Sequence, residues 1–414
     1  MTAPGGYAFP TDGAYARVEK SILALSEAIR TDPELSGDEV RAARRCVALL
    51  AAAGFEVEEG TGGLPTAFRA RRKLGAGTTR AAFLAEYDAL PGIGHGCGHH
   101  LIAATSLGAA LAASLAAAPG DDLELQVIGT PAEETIGGKV VLADDGIFDG
   151  LDAVLVFHPG HEWRTVTDSL ACQSVEVVFG GRASHAVAAP EAGVNALDAM
   201  IDLFTAVRGL RDRLPFEVRI PGVILEGGVR ANIVPDRAVA RFSARAPSSS
   251  ERETLVEALL GEVAAIAGRY GARSLVRPVD NPYDEMRTNI PLAAALAGEL
   301  AARGCVVNDA PRKGRGSVDI GNVSRRAPAV HAYLPAAPEG VALHTREFGE
   351  QATAAASARH LATAACAMAA VALRLAREPA LKSAVRAGFE DGRAGGAPRR
   401  WPLLRREPRA RVEC

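Results

Sequence analysis

The sequence predicts an α/β domain with a largely parallel sheet, interrupted by an inserted α+β domain of split-βαβ type. Three observations carry this. Strand-like and helical runs alternate over residues 1–171, the pattern changes to β-α-β-β-α-β over 172–288, and α/β alternation resumes over 289–387. The remainder, residues 388–414, is Pro/Arg-rich and is expected to be a disordered basic tail.

The elements follow in order. Ser36 and Glu39 have the spacing of a capping box, and the helix it opens carries Val40, Val47, Leu49 and Leu50 before stopping at Gly54. The β-rich runs "FEVEE", "TAFRAR" and "AAFLAEY" come next, then a helix from about Leu101 to Ala117. The strand "LELQVIG", a helix after Gly137 and Gly138, and the strand "AVLVF" complete the first part. In the insert, "QSVEVVFGG", "FEVRIPGVIL" and "AVARFSARA" read as strands, with helices near Val194–Leu214 and Ser249–Tyr270. The strand-like "APAVHAYL" and a long Ala-rich helix from about Gln351 to Arg377 close the second α/β part.

Composition narrows the function. The 414 residues are 48% hydrophobic and 23% charged, with a formal net charge of −3, so nothing pulls the chain toward nucleic acid or a membrane surface. No apolar run is expected to reach the roughly 18 residues of a membrane span. The start, "MTAPGGYAFPTDG", lacks a basic-then-apolar leader, and the six cysteines form no CxxC pair. Reduced thiols and a cytoplasmic location are the expectation.

The chemistry concentrates in "AEYDALPGIGHGCGHHLIAATSLG", Ala85 to Gly108. Cys97 and His99 are two apart, so an extended backbone turns both side chains to one face. Thiolate with imidazole suits Zn²⁺, and Mn²⁺, Co²⁺ or Fe²⁺ less tightly. Taken alone, the cluster reads equally as a metal site or as a packed Cys beside a hydrogen-bonded His. Glu133 and Glu134 in "GTPAEETIGG" then lie at a strand's C-terminal end, where open α/β sheets form ligand crevices. His158 ends the next strand in "VLVFHPG", and His344 appears in "VALHTREF".

Together "EYDALPGIGHGCGHHLI", "TPAEE", "HPG", "GRASHA", "ANIVPD" and "LHTREF", in that order, resemble the M20 metallopeptidase family. Within it the resemblance is to the branch of aminobenzoyl-glutamate hydrolases and M20 domain-containing dipeptidases, from about Pro33 to Phe348. It implies two divalent metal ions (Zn or Mn, with Co as an option) and an inserted lid that also makes a homodimer. It implies Cys97, His99, Glu134, His158 and His344 as metal ligands, Glu133 as general base, and Asp88 as the carboxylate orienting the cluster from behind. His185 of the lid matches the family histidine that donates to the oxyanion, usually from the partner subunit. Asn232 and Arg245 match residues that hold the substrate carboxylate. One departure stands out: the branch usually has Asn or Asp after its CGH motif, where this chain has His100, either as a neutral swap or as an extra ligand or altered hydrogen bond.

The function so implied is hydrolysis of an amide in a dipeptide, an N-acyl amino acid or an aroyl-glutamate with a free carboxylate. The alternatives are an amidohydrolase acting on a specialised biosynthetic amide, and a catalytically silent metal-bound dimer that works by binding.

Overall fold

A computed structural model describes residues 9–311, 316–392 and 400–406. The contacts gather these into two compact units. The first holds residues 9–168, 286–311 and 322–392, and the second holds 169–285, 316–321 and 400–406. Residues 316–321 therefore join the second unit, although the sequence assigns them to the resumed α/β part.

In the first unit the strands are β1 (Glu56–Glu59), β2 (Phe68–Leu74), β3 (Thr79–Ala85), β4 (Leu123–Gly129), β5 (Ala153–Gly160) and β10 (Ala329–Pro335). They form one sheet in the order β1-β2-β4-β3-β5-β10. Strands β4, β3, β5 and β10 run parallel, while β2 is antiparallel to both β1 and β4. Every residue of β4 and β5 is buried. Strand β5 accordingly opens as the continuous apolar run "AVLVF", whereas β4 buries two polar residues that satisfy each other, Gln126 Nε2 donating to Glu124 Oε1 at 2.5 Å. Strand β1, "EVEE", is the charged, exposed edge.

Helices cover this sheet. The helix His99–Ala116 is buried along most of its length, and Ala354–Arg377 packs closely on it. Contrary to the sequence expectation, both are long and apolar enough by length and composition to cross a membrane. Their apolar windows are 83% and 61% buried within the protein, so core packing accounts for their character.

Two further expectations are corrected. The Ala-rich helix begins at Ala354, after a separate turn of helix at Arg346–Gln351. A helix Pro379–Asp391 continues past residue 388, and Leu404 N–H donates to Asn281 Oδ1 at 2.6 Å, so these parts of the expected tail are ordered. Residues 393–399 and 407–414 of that tail lie outside the described residues.

The second unit contains β6 (Ala171–Gly180), β7 (Gly222–Glu226), β8 (Arg237–Ala246) and β9 (Arg273–Pro278), with helices Ala196–Arg213 and Ser249–Tyr270. The sheet order is β7-β8-β6-β9 with all neighbours antiparallel, the split-βαβ arrangement. Its own core joins Val175, Val177 and Phe179 of β6 to Leu203, Leu255 and Leu259 of the two helices.

The helix Val40–Ala52 shows how local chemistry can mislead. Its N-cap position is Glu39, with no side-chain cap bond, so the expected capping box does not form. Ser36 Oγ instead donates to Asp88 Oδ2 at 2.6 Å. The helix is capped by Glu34, whose Oε2 accepts the N–H groups of Arg41 and Ala42 at 2.7 and 2.8 Å. Glu34→Ala should therefore destabilise the protein by about 1–2 kcal/mol through loss of this cap. Thermal melts of Glu34→Ala followed by circular dichroism test this, and an unchanged melting temperature would contradict it.

Candidate metal centre

The site is built where β3, β4 and β5 end. Beyond β3 the chain stays extended, so Glu86 and Asp88 fall on one face. The loop then runs to Gly98, whose φ of +79° starts the helix His99–Ala116. A Cβ there would sit 2.8 Å from Pro159 Cγ, so both backbone and space require glycine. This places His99, the first helical residue, fully buried beside Cys97.

Ligand-type atoms converge in three overlapping groups: Cys97, His99 and His158; Cys97, Glu134 and His344; and Glu86, His99 and Glu133. Within each group the atoms lie within 4.8 Å of one another. Cys97 Sγ is 3.4 Å from His158 Nε2. His99 Nε2 is 3.9 Å from Glu133 and 3.8 Å from Glu134, while His344 Nε2 is 3.5 Å from Glu134 Oε1. All five sequence-predicted ligands therefore meet, together with Glu133 and Asp88.

The orientation of His99 is fixed from behind. Its Nδ1 lies 2.7 Å from Asp88 Oδ1, so the ring donates there and turns Nε2 to the cluster. Burial opposes the Asp88 charge, but His99, the Glu134 N–H and the Ser36 hydroxyl hold its carboxyl far below the usual range. Burial likewise opposes a charged His99, and Asp88 and Cys97 outweigh it to raise the imidazole. Burial, then the nearby His99, pulls His158 down to about 4, leaving it neutral near pH 7 and able to act as a ligand. Its Nδ1 is 2.7 Å from the Pro159 carbonyl, so Nε2 is the atom offered to the site.

These residues fit divalent cations. His99 Nε2 and Glu134 Oε1 are buried without a hydrogen-bond partner, a costly state that a cation would relieve. The donor set of thiol, imidazoles and carboxylates is one that divalent transition-metal ions take.

His100 does not join the cluster. Its Nε2 donates to the Ala352 carbonyl at 2.9 Å, and its ring meets His95 edge-on. Burial and His95 push its pKa well below normal, so it packs as a neutral side chain, and it belongs to none of the ligand groups. Two participants escaped the sequence reading. Glu86 Oε2 lies 3.6 Å from His99 Nε2, and the Glu86 carboxylate pairs with fully buried Lys139 at 2.9 Å. The i, i+2 relation of Glu86 to Asp88 was the available signal, as was a lone Lys in the apolar run "GKVVLA".

His185, Asn232 and Arg245 belong to the second unit. His185 is exposed, and its Nδ1 accepts the Ala188 N–H at 3.0 Å, which leaves Nε2–H as a free-facing donor. Ala186 N–H donates to the Asn232 carbonyl at 3.0 Å, so His185 and Asn232 share one end of the sheet. Arg245 is at the other end. Gly180 pairs with Arg237 and Cys172 with Arg245, eight residues along the same strands, or roughly 25 Å at strand rise. Arg245 Nη1 donates to Ser317 Oγ at 3.2 Å.

The family described as peptidase dimerisation domain matches residues 172–271. The chain is 36% identical over 384 residues to the Xaa-Arg dipeptidase of Mus musculus, covering 89% of this chain and 88% of that protein. It is 31% identical over 263 residues to a p-aminobenzoyl-glutamate hydrolase polypeptide of Escherichia coli K12, covering 59% and 53%. Among solved structures, an aminobenzoyl-glutamate utilization protein from Klebsiella pneumoniae superposes with TM-score 0.69 at 20% identity, covering 88% of this chain and 98% of that one. A Bacillus subtilis dinuclear metal-binding peptidase of the M20 family superposes with TM-score 0.61 at 19% identity, covering 86% and 99%.

The buried Glu86–Lys139 pair yields a direct test. Lys139→Met strands a buried carboxylate beside other acids and should cost about 3–5 kcal/mol. Adding Glu86→Gln should recover most of that loss, measured by chemical denaturation. A single Lys139→Met variant as stable as wild type would show that Glu86 has another counter-charge.

Proposed function

Because this chain belongs to the M20 family of metal-dependent peptidases and amidohydrolases, we propose that it cleaves a small amide whose leaving amine is an amino acid with a free carboxylate. A dipeptide is the preferred class, since the Xaa-Arg dipeptidase likeness spans nearly both chains. N-acyl amino acids and aroyl-glutamates remain within the same chemistry. The observation that carries the reading is the convergence of Cys97, His99, Glu134, His158 and His344 at the strand ends, with Glu133 beside them.

In this reading those five residues hold two cations, zinc or manganese with cobalt as an alternative. Bound cations lower the pKa of a water toward neutrality and polarise the scissile carbonyl. Glu133 takes the proton of the attacking water and returns it to the departing amine. Asp88 keeps His99 in the tautomer that offers Nε2. His185, with Nδ1 tied back to the Ala188 N–H, offers Nε2–H to the developing oxyanion. Arg245 recognises the substrate carboxylate by its planar fork.

Asn232 completes this recognition from a second copy of the chain. The distance along β8 between the Asn232 end and Arg245 supports the assignment, because one unit cannot bring both to one small ligand. The edge strand β7, "GVILE", is exposed throughout, with Val223, Ile224 and Leu225 uncovered, and it supports a homodimer in which this edge is buried. A cytoplasmic location is supported by the five free cysteines among the described residues, four of them buried. The partners are a small substrate and a second subunit, with neither nucleic acid nor membrane surface involved, in keeping with a net charge of −3.

Two experiments follow. Glu133→Gln should keep its metal and fold but lose at least about 100-fold in turnover on a panel of dipeptides, whereas Glu134→Gln should lose metal as well. Normal turnover by Glu133→Gln would refute the base assignment. For the shared site, inactive Glu133→Gln and inactive His185→Ala subunits are mixed under conditions of demonstrated exchange. Activity should return, because some heterodimers carry one site with both residues intact. Continued inactivity would place His185 in cis or outside catalysis.

A further inference from the structure

The segment Ser36–Glu39, which reads as a helix cap, is turned toward the metal centre. Ser36 donates to Asp88, as described, and Glu39 reaches further. It is completely buried, and its Oε1 accepts the Gly37 and Ala132 N–H groups, both at 2.8 Å. Its Oε2 accepts the Thr66 hydroxyl at 2.9 Å. Glu39 belongs to none of the ligand groups, and it is an acid buried near Asp88, a second acid. Such a placement is costly unless its hydrogen bonds are needed.

What it holds is unusual. Ala132 is one of two non-glycine residues with positive φ among the described residues, at +59°, a left-handed conformation that an alanine adopts only at a cost. The residue immediately precedes Glu133 and Glu134. Its N–H is taken by Glu39, and its carbonyl accepts the Gly137 N–H at 2.9 Å. Two residues on, the Glu134 N–H is taken by Asp88 Oδ2 at 3.0 Å. The backbone on both sides of Glu133 is thus gripped by buried carboxylates.

We propose that Glu39 is a positioning residue for the Glu133–Glu134 loop, holding Ala132 left-handed so that the base and the neighbouring ligand face the cluster. This rests on the roles given to Glu133 and Glu134 above. Glu39 acts by reach rather than by charge. A glutamine keeps an oxygen at the same distance for the two N–H groups, and the Thr66 hydroxyl can accept from its amide. An aspartate keeps the charge but withdraws the oxygens by one methylene.

The test uses metal-loaded full-length enzyme with Glu39→Ala, Glu39→Gln and Glu39→Asp. Turnover is expressed per folded, metal-loaded site, metal affinity is measured by chelator competition, and melting is followed in parallel. Glu39→Ala should lose about 10- to 100-fold in kcat with KM changed less than about 3-fold, and should bind metal about 10-fold more weakly, the usual scale for a supporting residue. Glu39→Gln should return to within about 3-fold of wild type, and Glu39→Asp should resemble the alanine variant. Should Glu39→Ala fail to fold, the Gln-versus-Asp order decides alone.

In a Glu133→Gln background, Glu39→Ala should add little further loss in kcat, because both act on one step. The proposal is overturned if Glu39→Ala matches wild type per loaded site, if Asp outperforms Gln, or if the double variant is fully additive. Activity retained by Glu133→Gln alone would instead overturn the base assignment, and the metal-affinity difference would still judge Glu39.

Discussion

The hydrogen bond between Asp88 and His99 Nδ1 is the contact on which the rest of the centre depends. It chooses the tautomer of His99 and sends Nε2 forward into a cluster of carboxylates. The same carboxylate also accepts the Glu134 N–H and the Ser36 hydroxyl, so one buried group sets a ligand ring, a backbone loop and a preceding segment. A carboxylate so deeply buried stays charged because His99, the Glu134 N–H and the Ser36 hydroxyl together outweigh burial. Substitution at Asp88 would disturb every one of these contacts together.

The parallel sheet explains why so many ligand types arrive in one place. Strands β3, β4 and β5 are adjacent and co-directional, so their C-terminal ends open on the same edge. Each exit then contributes chemistry: Asp88 after β3, Glu133 and Glu134 after β4, His158 at the end of β5. Positive φ values at Ala132 and His344 mark the loops where backbone conformation has been set by the site rather than by local preference.

Much of this was legible before the structure. The strand-end positions of Glu134 and His158 followed from hydrophobic runs that stop at polar residues, and the split-βαβ insert followed from its element order. What was illegible involves partners distant in sequence. Ser36 and Glu39 satisfy every local rule of a capping box, yet tertiary acceptors at Asp88 and donors at Ala132 and Thr66 claim them, and Glu34 caps the helix instead. Lys139 reads as a lone charge on a helix because its counter-charge, Glu86, lies in another loop. His100 could have been a ligand until its hydrogen bond to Ala352 took its Nε2 elsewhere.

The pairing of β5 with β10 has a consequence for how the protein is made. These neighbouring strands are separated in the chain by most of the second unit, so their ladder closes a very long loop. Closure entropy rises only logarithmically with loop length, which makes an insertion of this size thermodynamically tolerable. In time it is another matter. His344 follows β10 and emerges from the ribosome long after Cys97, His99, Glu134 and His158, so a growing chain carries an incomplete ligand set throughout synthesis of the insert. Completion of the centre is thereby coupled to completion of the fold: the last donor arrives only when the sheet that orients the others has received its final strand.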